Sequence, residues 1–186
     1  HLLFGELAGT INEALGIVLQ TGLMRADFAT LGLTGADRVQ ASATTPVGRV
    51  YGALVRLLQL DGLRLYHRER QEGPLTTTVE LLAPLSVIVS GLVKRNTLSL
   101  RYQLGHAMAM ATPRLALVAA LDDERAKAVL NATIAGFGPA RSESVADARP
   151  EQLRLAEDLW HLVGAADERR LRDLCGDAAH NTLLVA

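Results

Sequence analysis

The sequence predicts an α+β fold, mainly helical, with a small three-stranded sheet placed before a central buried helix. Three observations lead there. Across most of the 186 residues, apolar side chains recur at intervals of three and four, the period of a helix that turns one face to a core. Between Leu63 and Ser90 that period gives way to alternation and to β-branched residues, the pattern of short strands. Leu98–Met110 is then apolar on nearly every side, as expected of a helix enclosed by other elements.

The elements follow in chain order. Leu3, Leu7, Ile11, Leu15 and Val18 keep helical spacing over Leu2–Leu23. Gly5, Gly9 and Gly16 lower helix propensity there, but small residues let another backbone come close, so the helix is read as tightly packed. Met24–Leu33 predicts a short second helix that ends near Gly32. Thr34–Pro46 is polar and small, and reads as a linker. Pro46–Leu60 predicts an amphipathic helix capped by Thr45 and stopped by Asp61-Gly62, with Val50, Leu54, Leu57 and Leu58 on one face. Leu63 and Leu65 alternate with Arg64 and Tyr66, and Thr76–Leu82 and Leu85–Ser90 add two strands beyond a charged turn at Arg68–Pro74. Three strands so close in sequence form either a meander or a small mixed sheet.

Asn96 or Thr97 caps the central helix. Thr112-Pro113 opens another, reaching about Leu121, with proline in its first turn. Asp122 or Asp123 caps Glu124–Ala135, and Gly136, Gly138 and Pro139 then break the chain. Arg141–Pro150 is a polar loop, and Glu151–Val163 and Asp167–Cys175 are the closing helices.

Bulk properties exclude several functions. The formal net charge is −1, so no broad basic face is offered to nucleic acid. Aromatic residues are 4% of the chain, too few for a platform that stacks single strands. Cys175 is the one cysteine, so no intrachain disulfide forms and nothing points to an oxidising compartment; a cytoplasmic location is expected. The longest uncharged apolar stretch, Leu81–Val93, is roughly 13 residues and is interrupted by Pro84, too short for a membrane span. The chain opens on His1 and ends in Leu183-Leu184-Val185, features that suit a fragment of a larger chain. No G-x-x-x-x-G-K-[ST], G-x-G-x-x-G or C-x-x-C occurs, which leaves phosphate cradles and zinc ribbons without support.

One stretch carries a resemblance. The central helix reads Leu104-Gly105-His106-Ala107-Met108-Ala109-Met110. It resembles the metal helix of zincin peptidases of the gluzincin type, which carry H-E-x-x-H. Two histidines one turn apart hold zinc there, and the glutamate between them deprotonates water. His106 stands at the first histidine position, Ala107 at the glutamate and Met110 at the second histidine. A thioether is a poor zinc ligand and alanine takes no proton. In gluzincins a sheet precedes this helix and its edge strand pairs with substrate; the resemblance assigns that edge to Thr76–Leu82 or Leu85–Ser90. A third ligand, a glutamate on a later helix, often precedes an acidic–basic pair. If Glu168-Arg169 is that pair, the ligand position falls at Gly164, which offers none.

The chain is also similar to bacterial proteins in which tetratricopeptide-like helices precede such a degenerate zincin domain. They show a helix reading roughly L-G-[basic]-A-x-A-x-x-x-P and a later L-C-G-D. Here Leu104-Gly105-His106-Ala107-Met108-Ala109-Met110-Ala111-Thr112-Pro113 and Leu174-Cys175-Gly176-Asp177 match, over roughly residues 46–180. The resemblance implies a zincin-like fold: residues 1–45 form an N-terminal helical extension and linker, and residues 46–186 form the degenerate domain. It implies a pseudoenzyme with no catalytic residue and no cofactor, His106 being the single candidate metal ligand. A non-catalytic protein-interaction or scaffolding domain follows, bound to another protein or to neighbouring domains of the same chain. Its contact residues are Thr76, Thr78 and Glu80 on the strand edge, with Arg64 and Arg68 of a small basic cluster (Arg64, His67, Arg68 and Arg70) on a turn.

Other chemistry-bearing residues have plainer readings. A lone histidine at 106 is expected to be buried or half-buried and bonded to a backbone carbonyl. Cys175, Asp177 and His180 lie close in sequence, but residues at i, i+2 and i+5 do not share a helix face, so Cys175 is expected to be packed. Met108 and Met110 read as core filler, Trp160 beside His161 as a packing anchor, and Asp167–Asp173 as a solvated face with Glu168 and Arg172 one turn apart. The alternative function is a metal-dependent hydrolase or peptidase with atypical ligands. It requires at least three of His106, Glu80, His161 and Glu168 to converge.

Overall fold

The computed structural model describes residues 2–60, 62–70, 73–139 and 149–182, and the side chains within 9–176. In chain order these form helix α1 (Leu2–Gln20), strand β1 (Arg38–Val39), helix α2 (Pro46–Leu58), strands β2 (Arg64–Arg68), β3 (Thr76–Glu80) and β4 (Ser86–Ser90), and helices α3 (Leu98–Met110), α4 (Ala116–Ala120), α5 (Asp123–Phe137), α6 (Pro150–Leu162) and α7 (Ala165–Thr182). The fold is α+β and mostly helical, with a mixed four-stranded sheet. Backbone contacts divide it into two compact units, one running from Arg25 to Thr112, the other joining His1–Met24 to Pro113–Ala186. Residues 45 and 46, where the resemblance places a boundary, both lie in the first of these units.

Helix starts are set by side-chain caps. The Thr45 hydroxyl accepts from the Gly48 N–H at 3.1 Å, the Thr97 hydroxyl from the Leu100 N–H at 3.2 Å, and the Asp122 carboxylate from the Arg125 N–H at 2.8 Å. Each satisfies one of the orphan donors of a first helical turn. Pro46 occupies the first position of α2, where a missing N–H costs nothing.

In the unit from Arg25 to Thr112 the strand order is β1-β2-β4-β3. β4 runs parallel to β2 and antiparallel to β3, and β1 is antiparallel to β2. The sheet is therefore mixed and not a meander, because β4 inserts between its two predecessors. It has four strands where three were expected. The added one, β1, is a two-residue strand in the stretch read as linker, too short to carry an alternation.

Register sorts the side chains onto two faces. Leu65, Val87, Val89 and Val79 are all buried and share the face that packs on α3. There the Thr77 hydroxyl donates to the Gln103 carbonyl at 3.4 Å. α2 packs on α3, with Gly105 beside Leu54, and the Tyr51 hydroxyl ties α2 to the start of β2 by donating to the Leu63 carbonyl at 2.6 Å. The opposite face is partly covered by the segment from Ala26 to Leu33. This segment is no helix: it is a run of turns laid across the sheet. Leu33, Tyr66, Leu82 and Ile88 form a buried cluster with Ala26, Phe28 and Leu31 against it. The Phe28 and Tyr66 rings lie 5.5 Å apart, the Ala26 N–H donates to the Leu81 carbonyl at 3.0 Å, and the Arg68 guanidinium donates to the Leu31 carbonyl.

Two expectations about burial are corrected. α3 is not enclosed: Leu100, Leu104, Ala107 and Met108 are buried, but Leu98 and Tyr102 are 81% and 74% exposed and His106 is exposed. Leu98 and Tyr102 made the uncovered face look apolar as well, and sequence spacing does not show which face another element covers. On α2, Val50 is buried, but Leu57 and Leu58 are exposed.

The second unit packs α5 against α6 and α7, and α1 against α4, α5 and α7. Leu15, Val18, Leu117, Val129, Leu159, Leu171 and Leu174 are among its buried residues. Trp160 stacks on Phe137 with centroids 5.5 Å apart and lies under the Arg172 guanidinium at 5.2 Å. Glu13 of α1 and Arg170 of α7 form an ion pair at 2.7 Å. Gly16 lies against the Pro113 carbonyl, 3.4 Å from where a Cβ would stand, the close backbone approach its size allows. No helix among the described residues is long and apolar enough to cross a membrane.

Candidate peptide-binding edge

The candidate site is the face and outer edge of β3, and register assembles it. In the ladder, Arg64, Ser86 and Glu80 form one row across β2, β4 and β3. Tyr66, Ile88 and Thr78 form the next, and Arg68, Ser90 and Thr76 the third. Directly paired residues share a face, and so do alternate residues along a strand. Arg64, Arg68, Thr76, Thr78 and Glu80 therefore all lie on one face, the two arginines two strands from the edge.

Their surroundings differ. The Arg68 guanidinium is committed to the Leu31 carbonyl, whereas the Arg64 guanidinium forms no hydrogen bond or ion pair with a described residue. The Thr78 hydroxyl donates to the Glu80 carboxylate at 3.0 Å, and Thr76 and Thr78 are exposed. These arginines do not stand on a turn, as their charge density had implied. They are in β2, where Leu65 and the buried body of Tyr66 hold the strand in the sheet. Arg70 lies beyond the strand. His67 projects from the other face, its Nε2 2.9 Å from the Gly91 carbonyl.

β3, and not β4, is the edge of the expected pair. Among the described residues no strand pairs with its outer side. An edge strand presents alternate N–H and C=O groups outward, which is a template for another extended segment. α3 lies beside it. Gln103 sits at that junction, its amide nitrogen 3.3 Å from the Ser99 hydroxyl and its Oε1 enclosed without a hydrogen-bond partner among the described residues.

His106 is exposed on α3, not buried, and its ring stacks with Tyr102 one turn earlier at 6.2 Å. Nothing in the described structure bonds its ring to a backbone carbonyl. Among the described residues, no three His, Cys, Asp or Glu side chains come together as metal ligands would. Of the alternative catalytic set, Glu80 is held by Thr78, Glu168 pairs with Arg172 at 2.8 Å along α7, and His161 is exposed on α6. Cys175 is buried and its Sγ lies 3.8 Å from the Thr133 carbonyl. Loss of solvation pushes its thiol up to about 11. The side chains of Asp177 and His180 lie outside the described residues, as does most of the Arg141–Pro150 loop.

Sequence reasoning missed Tyr66, Ser86 and Gln103. The alternation at positions 64, 66 and 68 was a signal for Tyr66; nothing local marked the other two. Comparison with models of protein families, with curated proteins and with solved structures finds no match to this chain.

Proposed function

We propose that this chain is a non-catalytic interaction domain of zincin-like ancestry that binds an extended protein segment by strand addition along β3. The observation that carries the reading is the open outer edge of β3, with Thr76 and Thr78 exposed along it and α3 packed beside it. Main-chain hydrogen bonds supply affinity in this mode, and alternate side chains supply selectivity. The order of sheet, edge strand and helix supports the ancestry. So do Ala107 and Met110, which stand where a working zincin helix needs its base and second ligand. Within each unit the hydrolase reading gains no support: Glu80 is held by Thr78, and Glu168 pairs with Arg172.

The test uses strand alternation. In an antiparallel ladder, alternate residues aim their N–H groups at the paired strand and the others aim theirs outward. Of Thr77→Pro and Thr78→Pro, one therefore breaks the ladder with β4 and the other removes a donor only from the open edge. Peptides are first selected on the parent protein from a random display library. The proline variant that keeps the native fold is expected to lose binding by at least about tenfold, the loss of roughly one well-placed hydrogen bond and its geometry. Bound peptide is expected to slow amide exchange within Thr76–Glu80. Equal binding by that variant, or protection elsewhere only, sinks the proposal.

A further inference from the structure

Beside the sheet face lies a cavity of about 380 Å³, within the range that small ligands fill. The turn at Ala26–Phe28 forms one wall, and the start of β2, the start of β4 and the Leu82–Pro84 turn form the others. Arg64, Tyr66 and Ser86 line it from the sheet, and register places all three on one face.

Its polar groups are unevenly committed. The Ser86 hydroxyl donates to the Pro84 carbonyl at 2.9 Å. Asp27, at the exposed turn, accepts from the Ala29 N–H at 3.0 Å. The Arg64 guanidinium and the Tyr66 hydroxyl have no hydrogen-bond partner among the described residues; Arg64 is half-buried, and Tyr66 is buried except at its hydroxyl oxygen, which is not enclosed. The guanidinium and the phenol line one cavity, and no described group, the Asp27 carboxylate of the same lining included, accepts from either. Phe28, Leu82 and Pro84 supply apolar wall.

We infer that this cavity binds a carboxylate carried on a small apolar body, held by Arg64 and the Tyr66 hydroxyl. A carboxylate matches the planar fork of a guanidinium with two parallel hydrogen bonds. It takes a third from a phenol and carries the single charge that one arginine balances. A phosphate brings nearly two charges to a site with one cation and a nearby Asp27 carboxylate, so electrostatics favour the monoanion. The apolar walls take the remainder of the ligand. Two sources present this chemistry, a free small acid and the C-terminal carboxylate of a protein.

The experiment is a titration of the isotope-labelled protein followed by amide resonances, with isobutyrate, isobutyramide and inorganic phosphate as probes. Isobutyrate is expected to give saturable shifts centred on Arg64, Tyr66 and Ser86, with a dissociation constant on the order of 1 mM for so small a ligand. Isobutyramide, which has the same shape without the charge, is expected to bind at least about tenfold more weakly, and phosphate no better than the amide. Arg64→Gln is expected to lose about tenfold and Tyr66→Phe about threefold, while Arg70→Gln is unchanged. A short peptide ending in valine, compared with its C-terminal amide, separates the sources. Tighter binding of the free-acid peptide than of isobutyrate identifies a protein terminus, and weaker binding identifies a free acid. Equal binding of isobutyrate and isobutyramide overturns the inference on the parent protein alone, whatever the variants do. So does tighter binding of phosphate, or shifts that do not saturate or that centre elsewhere.

Discussion

Cys175 is the one side chain whose chemistry the described structure closes off. Its thiol is buried beside the Thr133 carbonyl, and burial pushes its ionisation up to about 11. The thiolate is the reactive form, so a thiol reagent at pH 8 is expected to label the native protein only as fast as it unfolds, and to label it at once in denaturant. Rapid stoichiometric labelling of native protein would contradict this. The same shift has a sign in stability. The folded-state value lies above that of an unfolded thiol, near 8.5, so the protonated form is favoured by folding. This contribution is fully present below about pH 8.5 and is lost as pH rises through about 11. Denaturant titrations across that window, compared with Cys175→Ser, isolate it. His106 shows the reverse failure of residue-level reading: its motif position identified it, but whether the ring is enclosed depends on which face of α3 stays uncovered.

At the scale of elements, glycine position decides stability in opposite directions. A Cβ on Gly52 would stand 2.2 Å from the Ala41 carbonyl, and one on Gly48 2.6 Å from the Ala43 side chain. The stretch before α2 therefore lies directly on the helix, and the conflict at Gly52 is with backbone, which does not yield. Gly52→Ala is expected to cost about 2–3 kcal/mol. Gly9, on α1, has open space around it, and Gly9→Ala is expected to gain about 0.5–1 kcal/mol through reduced backbone entropy. Urea unfolding of the two variants checks both signs. The elements themselves were largely legible. Period-two alternation located β2, β-branched residues located β3 and β4, and the caps at Thr45, Thr97 and Asp122 are where the sequence offered them. Met24–Leu33, expected as a helix, forms turns instead, because Phe28, Leu31 and Leu33 serve a cover over the sheet and local sequence does not reveal that service. The site was legible strand by strand: alternation puts Arg64 with Arg68, and Thr76 with Thr78 and Glu80. That the two sets share a face depends on β4 pairing with both strands, a long-range register with no local signature.

At the scale of the whole molecule, the chain from Arg25 to Thr112 is continuous and the other unit is made of the two flanking pieces. The continuous unit carries its own sheet, two helices packed on each other and two sets of buried residues. One is Leu33, Tyr66, Leu82 and Ile88 on the covered face; the other, on the α3 side, includes Leu65, Val87, Val89, Leu100, Leu104 and Met108. A segment of this size, with buried residues on both faces of its sheet, is in the range of domains that fold alone. A fragment spanning residues 25–112 is therefore expected to unfold cooperatively in urea and to show the dispersed amide resonances of a packed sheet. The β3 edge and the Arg64 cavity both lie within it. The fragment is accordingly expected to bind the selected peptides and isobutyrate within about threefold of the full chain, since neither site draws a named residue from outside. A fragment that folds but binds neither probe would mean that residues of the flanking pieces complete the sites. One that does not fold would show that the sheet depends on them for stability.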